Sequence, residues 1–171
     1  TGMGVERITA VLEGKHDNYQ TSIWKNVINK IEEISGEKYS DKTKEMRIIA
    51  DHIRSIVFIS ADEAKIIPSN TDQGYILRRL IRRMLRYAKK INIDINSDFE
   101  LQLAKIIIEQ YKKYYSELEK NEEQVMNVLK NEKNKFSKTL EKGLKEFEKS
   151  IKNIDKKIDA SLAFKLYDTY G

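Results

Sequence analysis

The chain has 171 residues, of which 40% are apolar and 35% charged, and its formal net charge is +5. This length and composition are typical of one globular domain with a real core, and they exclude a disordered tail. Cysteine is absent, so disulfides, thiolate metal sites and cysteine nucleophiles are excluded. The sequence contains no apolar run near the roughly 18 residues of a membrane span, and we expect no membrane-spanning segment.

The pattern of apolar residues predicts an all-α fold. One proline and seven glycines occur in the whole chain, so breaks between periodic segments are few. A first helix is predicted to be capped by Asp17 or Asn18 and to end at Gly36, and a second to start at Ser40 or Asp41.

The second half of the chain continues this pattern. After a break with a turn or short strand at residues 66–67, Asp72 is predicted to cap a basic helix. Ser97 and Glu100 match a capping box in front of a buried helix. From about residue 117 to 153 the apolar residues repeat every 11 positions, which predicts one long, highly charged helix.

The positive charge is concentrated between residues 74 and 90, in GYILRRLIRRMLRYAKK. At about 100° per residue its cations share an arc of roughly 140°, and the opposite side of the helix is apolar. The cations are Arg78, Arg79, Arg82, Arg83, Arg86, Lys89 and Lys90. A row of guanidinium groups suits phosphates, so the composition favours nucleic acid. A solvated face with acids from neighbouring helices, an anionic membrane surface and a helical protein partner stay open.

Several blocks of sequence carry a resemblance to a known family. TGMGVER at the start resembles the third signature motif of class II aminoacyl-tRNA synthetases. Three later blocks are similar to the alanyl-tRNA synthetase family: RIIADHIRSIVFISADEAKIIPSNTDQGYILRRLIRRMLR, then FSKTLEKGLKEFE, then SLAFKLYDTYG. These blocks keep their order and approximate spacing over essentially the whole chain.

The resemblance implies a domain organisation. Residues 1–14 would be the end of the catalytic domain, a short strand-to-helix remnant, and residues 15–171 a helical tRNA-recognition domain built as a bundle with one long charged helix. Because the chain starts with Thr1 and lacks the first and second class II motifs, we expect a catalytically incomplete part of a longer protein.

The resemblance also implies an ATP site at the amino terminus. Arg7 would reach an ATP phosphate, and Gly2 and Gly4 would let the backbone approach the adenylate. The parent enzyme would need ATP and Mg²⁺. Zinc, which the family uses in a separate editing domain, has no ligand set in this segment. The alternative interpretation of TGMGVER is a frayed or strand-edge terminus.

Identity reading in the family rests on a G·U wobble pair in the acceptor stem, and the family's motif residues match Asn70 and Asp168 here. An aspartate accepts from guanine N2, while an asparagine both donates and accepts. Arg78, Arg79, Arg82, Arg83 and Arg86 would then hold the acceptor-stem backbone. Without the resemblance, Asn70 is interpreted as a loop or capping residue and Asp168 as a solvent-facing group.

The function implied by the resemblance is acceptor-stem binding and G·U recognition within a cytoplasmic alanine–tRNA ligase. Its partners would be tRNA and the remaining catalytic and editing domains of the same chain, and no membrane partner is expected. A generic polyanion-binding module and a purely structural helical domain are the alternatives. His52 and His16 are interpreted as packed or hydrogen-bonded residues in place of catalytic bases, and the tyrosines as core-edge residues that could otherwise stack on bases.

Overall fold

The computed structural model describes residues 2–151, 160–161 and 164, and seven α-helices and one 3₁₀ turn lie within residues 2–151. The helices are α1 (Val5–Leu12), α2 (Ser22–Ser35), α3 (Thr43–Ala61), α4 (Asp72–Lys90), α5 (Phe99–Tyr111), α6 (Ser116–Lys120) and α7 (Glu122–Ile151). The all-α prediction is confirmed, and the described residues contain no strand. The predicted strand before α1 is absent at residues 2–4, where no second strand is present to pair with it.

Two compact units divide the chain, Thr1–Glu132 and Lys133–Gly171. The first contains α1 to α6 and the start of α7, whose remaining turns belong to the second. In the first unit α1 packs on α2 and on the 3₁₀ turn Asn18–Gln20. The predicted domain boundary after residue 14 stays a prediction.

Helix α3 is the centre of the first unit, since α2, α4, α5 and α6 all pack on it. The residues that α3 buries fall on several sides of the helix, as expected for an element surrounded by others. They include Met46, Ile49, Ala50, Ile53, Ile56, Val57 and Ala61. Helix α4 is the most extensive neighbour of α3, so the basic helix is mounted on the core and not at its periphery.

The predicted helix ends are partly right. Gly36 ends α2 with φ of 70°, and its amide donates to the Glu32 carbonyl at 2.8 Å, as an αL glycine should. Asp17 does not cap α2, which begins at Ser22. Its Oδ1 instead accepts from the Tyr19 amide at 3.0 Å and caps the 3₁₀ turn, because the chain makes this extra turn before α2 starts.

The predicted long charged helix is interrupted at Asn121, between α6 and α7. The Asn121 side-chain amide donates to the Ala61 carbonyl at 2.7 Å, and Gln124 donates to Ser60 at 2.8 Å. Both carbonyls lie in the last turn of α3, where a helix leaves its acceptors unpaired. The break therefore allows α7 to begin where its side chains cap α3. None of the helices in the described ranges is both long and apolar enough to cross a bilayer.

Candidate nucleic-acid interface

Helix α4 has one apolar and one cationic face, as predicted. Leu77, Ile81, Met84, Leu85 and Ala88 are buried, and burial of each large apolar side chain contributes roughly 1.5–3 kcal/mol. Arg79, Arg83, Arg86, Lys89 and Lys90 are exposed. At 1.5 Å per residue these cations extend over about 16 Å of helix. The apolar anchor thus fixes the spacing of the row, which favours contact with several phosphates at once.

Arg82 differs from its neighbours because an acid from another helix contacts it. Its Nε lies 2.7 Å from Oε1 of Glu132, in the amino-terminal part of α7, and the Glu132 side chain is only 3% exposed. Such a buried carboxylate requires a partner. One alternative left open by the sequence was that acids from neighbouring helices pair with the basic face, and this is what the structure shows at Arg82. The part of Arg82 in RNA binding stays a prediction.

The loop in front of α4 is closed on the helix by backbone and hydroxyl contacts. The Ser69 amide donates to the Gly74 carbonyl at 3.1 Å, and the Ser69 hydroxyl donates to the Thr71 carbonyl at 2.7 Å. A Cβ at Gly74 would lie 2.4 Å from both the Ile67 carbonyl oxygen and Ser69 Oγ. Only glycine fits this position. The backbone of the loop that carries Asn70 therefore packs tightly against the first turn of α4.

Asn70 itself is exposed and contacts the basic helix directly. Arg78 Nη1 donates to Asn70 Oδ1 at 2.6 Å, and the Arg78 guanidinium carbon lies 5.5 Å from the centre of the Tyr75 ring. Two residues that the resemblance assigns to one site, from a loop and from the second turn of α4, are thereby brought together. Asp168 lies outside the described residues.

The carboxyl-terminal half of α4 concentrates cations around a phenol. The guanidinium carbons of Arg83 and Arg86 lie 5.8 Å and 5.5 Å from the centre of the Tyr87 ring, and Lys90 Nζ lies 5.0 Å from it. Desolvation alone raises the pKa of Tyr87, but the charge of Lys44, a hydrogen bond from Arg83 and the charges of Lys90 and Arg83 lower it below its usual value. The field at this end of the helix therefore favours an anion.

His52 is buried in α3 and hydrogen-bonded, as the sequence predicts. Its Nδ1 lies 3.0 Å from Oδ2 of the preceding Asp51. This hydrogen bond lowers the pKa of Asp51 against the opposing effect of burial, and the charges of Arg54 and Arg83 lower it further. His16 is exposed, outside the helices.

The predicted tyrosine positions are partly right. Tyr87 is 7% exposed, at the edge of the core, but Tyr114 is 76% exposed and Tyr75 40%. Tyr75 lies on the outside of the first turn of α4, beside Arg78. It is therefore available to contact a ligand of the basic face.

At the amino terminus, Gly2, Gly4 and Arg7 are all exposed. Gly4 has φ of 74° and immediately precedes α1, and a Cβ at either glycine would meet nothing within 4 Å. Helix α1 is attached to the first unit through Glu6, whose Oε1 accepts from Arg54 Nη2 at 2.5 Å. Arg7 is thus carried on an anchored helix with its side chain free of the core.

A metal site does not fit the described residues, because no group of three or more His, Asp or Glu side chains among them could hold an ion. The only chemistry that the described part of the site supplies is cationic and hydrogen-bonding.

Gly74 and Glu132 shape this surface, yet neither was predicted as a site residue. The glycine of GY is a signal for a close backbone approach, and the structure shows what approaches it. Glu132 gave no such signal, because it is one acid among many in the charged segment and 50 residues separate it from Arg82.

Comparison with known proteins identifies the family of the chain. A family model described as tRNA synthetases class II (A) matches residues 1–171, so the chain belongs to this family. Among similar proteins, the alanine–tRNA ligase of Borreliella afzelii (strain PKo) is 45% identical over 175 residues, and that of Treponema pallidum (strain Nichols) 41% over 178. The alanine–tRNA ligase of Thermotoga sp. (strain RQ2) is 40% identical over 174 residues.

All three alignments cover 100% of this chain, which confirms the resemblance to the alanyl-tRNA synthetases. The chain spans 29% of the length of the first two ligases and 20% of the third.

Proposed function

We propose that this chain is the segment of an alanine–tRNA ligase that binds the tRNA acceptor stem and reads its G·U pair. The observation that carries the proposal is the contact between Asn70 and Arg78, which holds an exposed side-chain amide at the end of a cationic helix face in a class II synthetase chain. Such a ligase would use ATP to attach alanine to tRNA in the cytoplasm, together with further catalytic and editing domains.

The two kinds of contact have separate tasks. Arg79, Arg83 and Arg86 are exposed on one face and would neutralise backbone phosphates, which positions the RNA without reading it. Asn70, with Asp168 from the carboxyl terminus, would contact the minor-groove edge. That edge is shallow and accessible in A-form RNA, so short side chains can reach it.

Arg7 would bind an ATP phosphate and stabilise the pyrophosphate as it leaves, since a fixed guanidinium meets developing negative charge well. Its exposure on α1 supports this assignment. Gly2 and Gly4 have open space where a side chain would be, which suits a close approach of backbone to nucleotide. Mg²⁺ would be held by groups outside the described residues.

The test is charging of tRNA by the whole protein that contains this chain. We expect ATP-dependent attachment of alanine to a transcript whose acceptor stem has G·U, and a rate lower by about 10- to 100-fold when that pair is G·C. Arg7→Ala should lower alanine-dependent pyrophosphate exchange by roughly 100-fold or more. Charging that ignores the pair would contradict identity reading, while leaving the ligase assignment intact.

A generic polyanion-binding module is the second candidate, and the cations around Tyr87 favour it. That cluster extends the basic surface well beyond Asn70. Such a module would bind G·U and G·C stems equally, with strong dependence on salt. A purely structural helical domain would bind neither stem.

A further inference from the structure

We propose that Arg78 is a positioning residue that fixes the orientation of the Asn70 side chain, so that Asn70 reads a hydrogen-bond acceptor of the G·U pair and not the guanine amino group. The inference rests on the proposed function, in which Asn70 contacts this pair. It goes further by naming the atom class that Asn70 recognises and the residue that imposes it.

The chemistry of the contact sets the orientation. A guanidinium group has five N–H donors and no acceptor, so the Asn70 atom 2.6 Å from Arg78 Nη1 must be the carbonyl oxygen. With one lone pair of the carbonyl engaged by a charged donor and the side chain held on Arg78, the Asn70 amide nitrogen is the group that would face the ligand. Its two N–H groups can only donate.

Three contacts keep the pair in this arrangement. The Arg78 guanidinium lies against the Tyr75 ring, 5.5 Å from its centre, an arrangement that is favourable for a cation. The Ser69 amide donates a hydrogen bond to the Gly74 carbonyl, which closes the loop on the helix. The Tyr75 amide donates to Thr71 at 2.9 Å, which ties the residue after Asn70 into the first turn of α4.

The minor groove offers a donor side chain a restricted choice. The base acceptors of the minor groove are pyrimidine O2 and purine N3, and the guanine N2 amino group is its one base donor. Among the base atoms of the pair, an Asn70 that presents N–H groups can therefore contact only uracil O2 or guanine N3. The guanine amino group then needs a separate acceptor, which the carboxylate of Asp168 would supply.

The first experiment measures binding of the full chain to two acceptor-stem hairpins, one with G·U and one with G·C. Arg78→Ala should lower the G·U preference by about tenfold, as much as Asn70→Ala does, and the double variant should lose no more than either alone. Arg79→Ala is the matched control, because it removes an equal charge one residue away and should weaken both hairpins alike. If Arg78→Ala also weakens both alike, Arg78 only holds phosphate and the inference is wrong.

The second experiment replaces guanosine by inosine in the wobble pair, which deletes the N2 amino group and keeps every acceptor. Asn70→Ala should cost the same factor with inosine·U as with G·U. If the cost of Asn70→Ala disappears with inosine, Asn70 reads the amino group through its carbonyl and the inference is overturned. A wild-type chain that shows no G·U preference overturns the proposed function and the inference together.

A third measurement needs no RNA. Nuclear spin relaxation of the Asn70 side-chain amide should report a more ordered group in the wild-type chain than in Arg78→Ala, and an unchanged order in Arg79→Ala. Equal order in all three would overturn the positioning role even if G·U recognition is established. Helicity measured by circular dichroism verifies that each variant is folded.

Discussion

Arg82 Nε and Glu132 Oε1 lie 2.7 Å apart and join the middle of the basic helix to the amino-terminal part of α7. Arg82, in the middle of the row of cations, therefore forms an ion pair within the first unit. The exposed arginines on either side of it keep their charge directed to solvent. The helix is thus both a structural element and a binding surface, and different side chains perform the two tasks.

Loss of the Arg82 side chain should destabilise the fold. Arg82→Ala leaves the Glu132 carboxylate, 3% exposed, without its arginine, and we expect the free energy of unfolding to fall by about 3 kcal/mol. The control Arg79→Ala removes an exposed arginine and should change it by less than about 0.5 kcal/mol. Urea titration followed by circular dichroism measures both. Equal effects of the two substitutions would show that the ion pair is not structural.

Gly74→Ala should damage the loop in front of α4. The new Cβ would lie 2.4 Å from the Ile67 carbonyl oxygen, so the backbone must move, at a cost of about 1–3 kcal/mol. Gly143→Ala, in the charged part of α7, is a matched control that should be neutral or slightly stabilising. Thermal unfolding compares them, and the loss of G·U preference in Gly74→Ala should exceed its loss of overall RNA affinity.

The stability of the first unit should depend on pH through Asp17. Burial alone raises the pKa of Asp17, but hydrogen bonds from Tyr39, Arg47 and the Tyr19 amide lower it below its ordinary value of 3.8. The contribution to stability is therefore complete above pH 3.8 and lost as the pH falls through the lower folded-state value. The difference in unfolding free energy between wild type and Asp17→Asn should shrink in acid. A difference that is independent of pH would contradict this account.

The contribution of Tyr39 to the free energy of unfolding should have the opposite pH dependence and decrease at high pH. Burial and the hydrogen bond to Asp17, 2.6 Å long, raise its pKa from 10.0 to about 12. A raised folded-state value means that the contribution is complete below pH 10 and lost as the pH rises through about 12. Tyr39→Phe should be less stable than wild type at neutral pH, and the difference should decrease in alkali. Chemical unfolding measured across this range tests it.

The sequence was sufficient to predict most of the fold, because core-facing residues at helical spacing and few glycines define helices locally. It located the basic face for the same reason. The extra turn before α2 and the break at Asn121 were not predicted, since both depend on contacts with other elements: Asp17 with Arg47, and Asn121 with the end of α3. Local patterns contain no information on such partners.

For the candidate site, the resemblance predicted that Asn70 and Arg78 bind RNA, but it did not predict that their side chains contact each other. The eight positions that separate them in sequence could place the side chains apart or together, depending on the loop. The closed loop depends on Gly74, whose missing Cβ admits the Ile67 carbonyl. The pairing of Arg82 with Glu132 was likewise invisible, because many acids in the charged segment were equally eligible.

RNA affinity should fall with salt in proportion to the number of phosphates contacted. Removing one phosphate contact by Arg86→Gln should reduce the slope of log affinity against log salt by about 1 and weaken G·U and G·C hairpins equally. Asn70→Ala should leave the slope unchanged. A slope that is unchanged in Arg86→Gln would show that Arg86 does not contact a phosphate.

The most direct test of the central claim is the ratio of affinities of this chain for the G·U and G·C acceptor-stem hairpins, measured at one fixed salt concentration for wild type, Asn70→Ala and Asp168→Ala. We predict a preference for G·U of about tenfold or more in wild type, lost in both variants, with residual salt-dependent binding on the arginine face. Equal binding of the two hairpins by the wild-type chain would contradict identity reading by these residues.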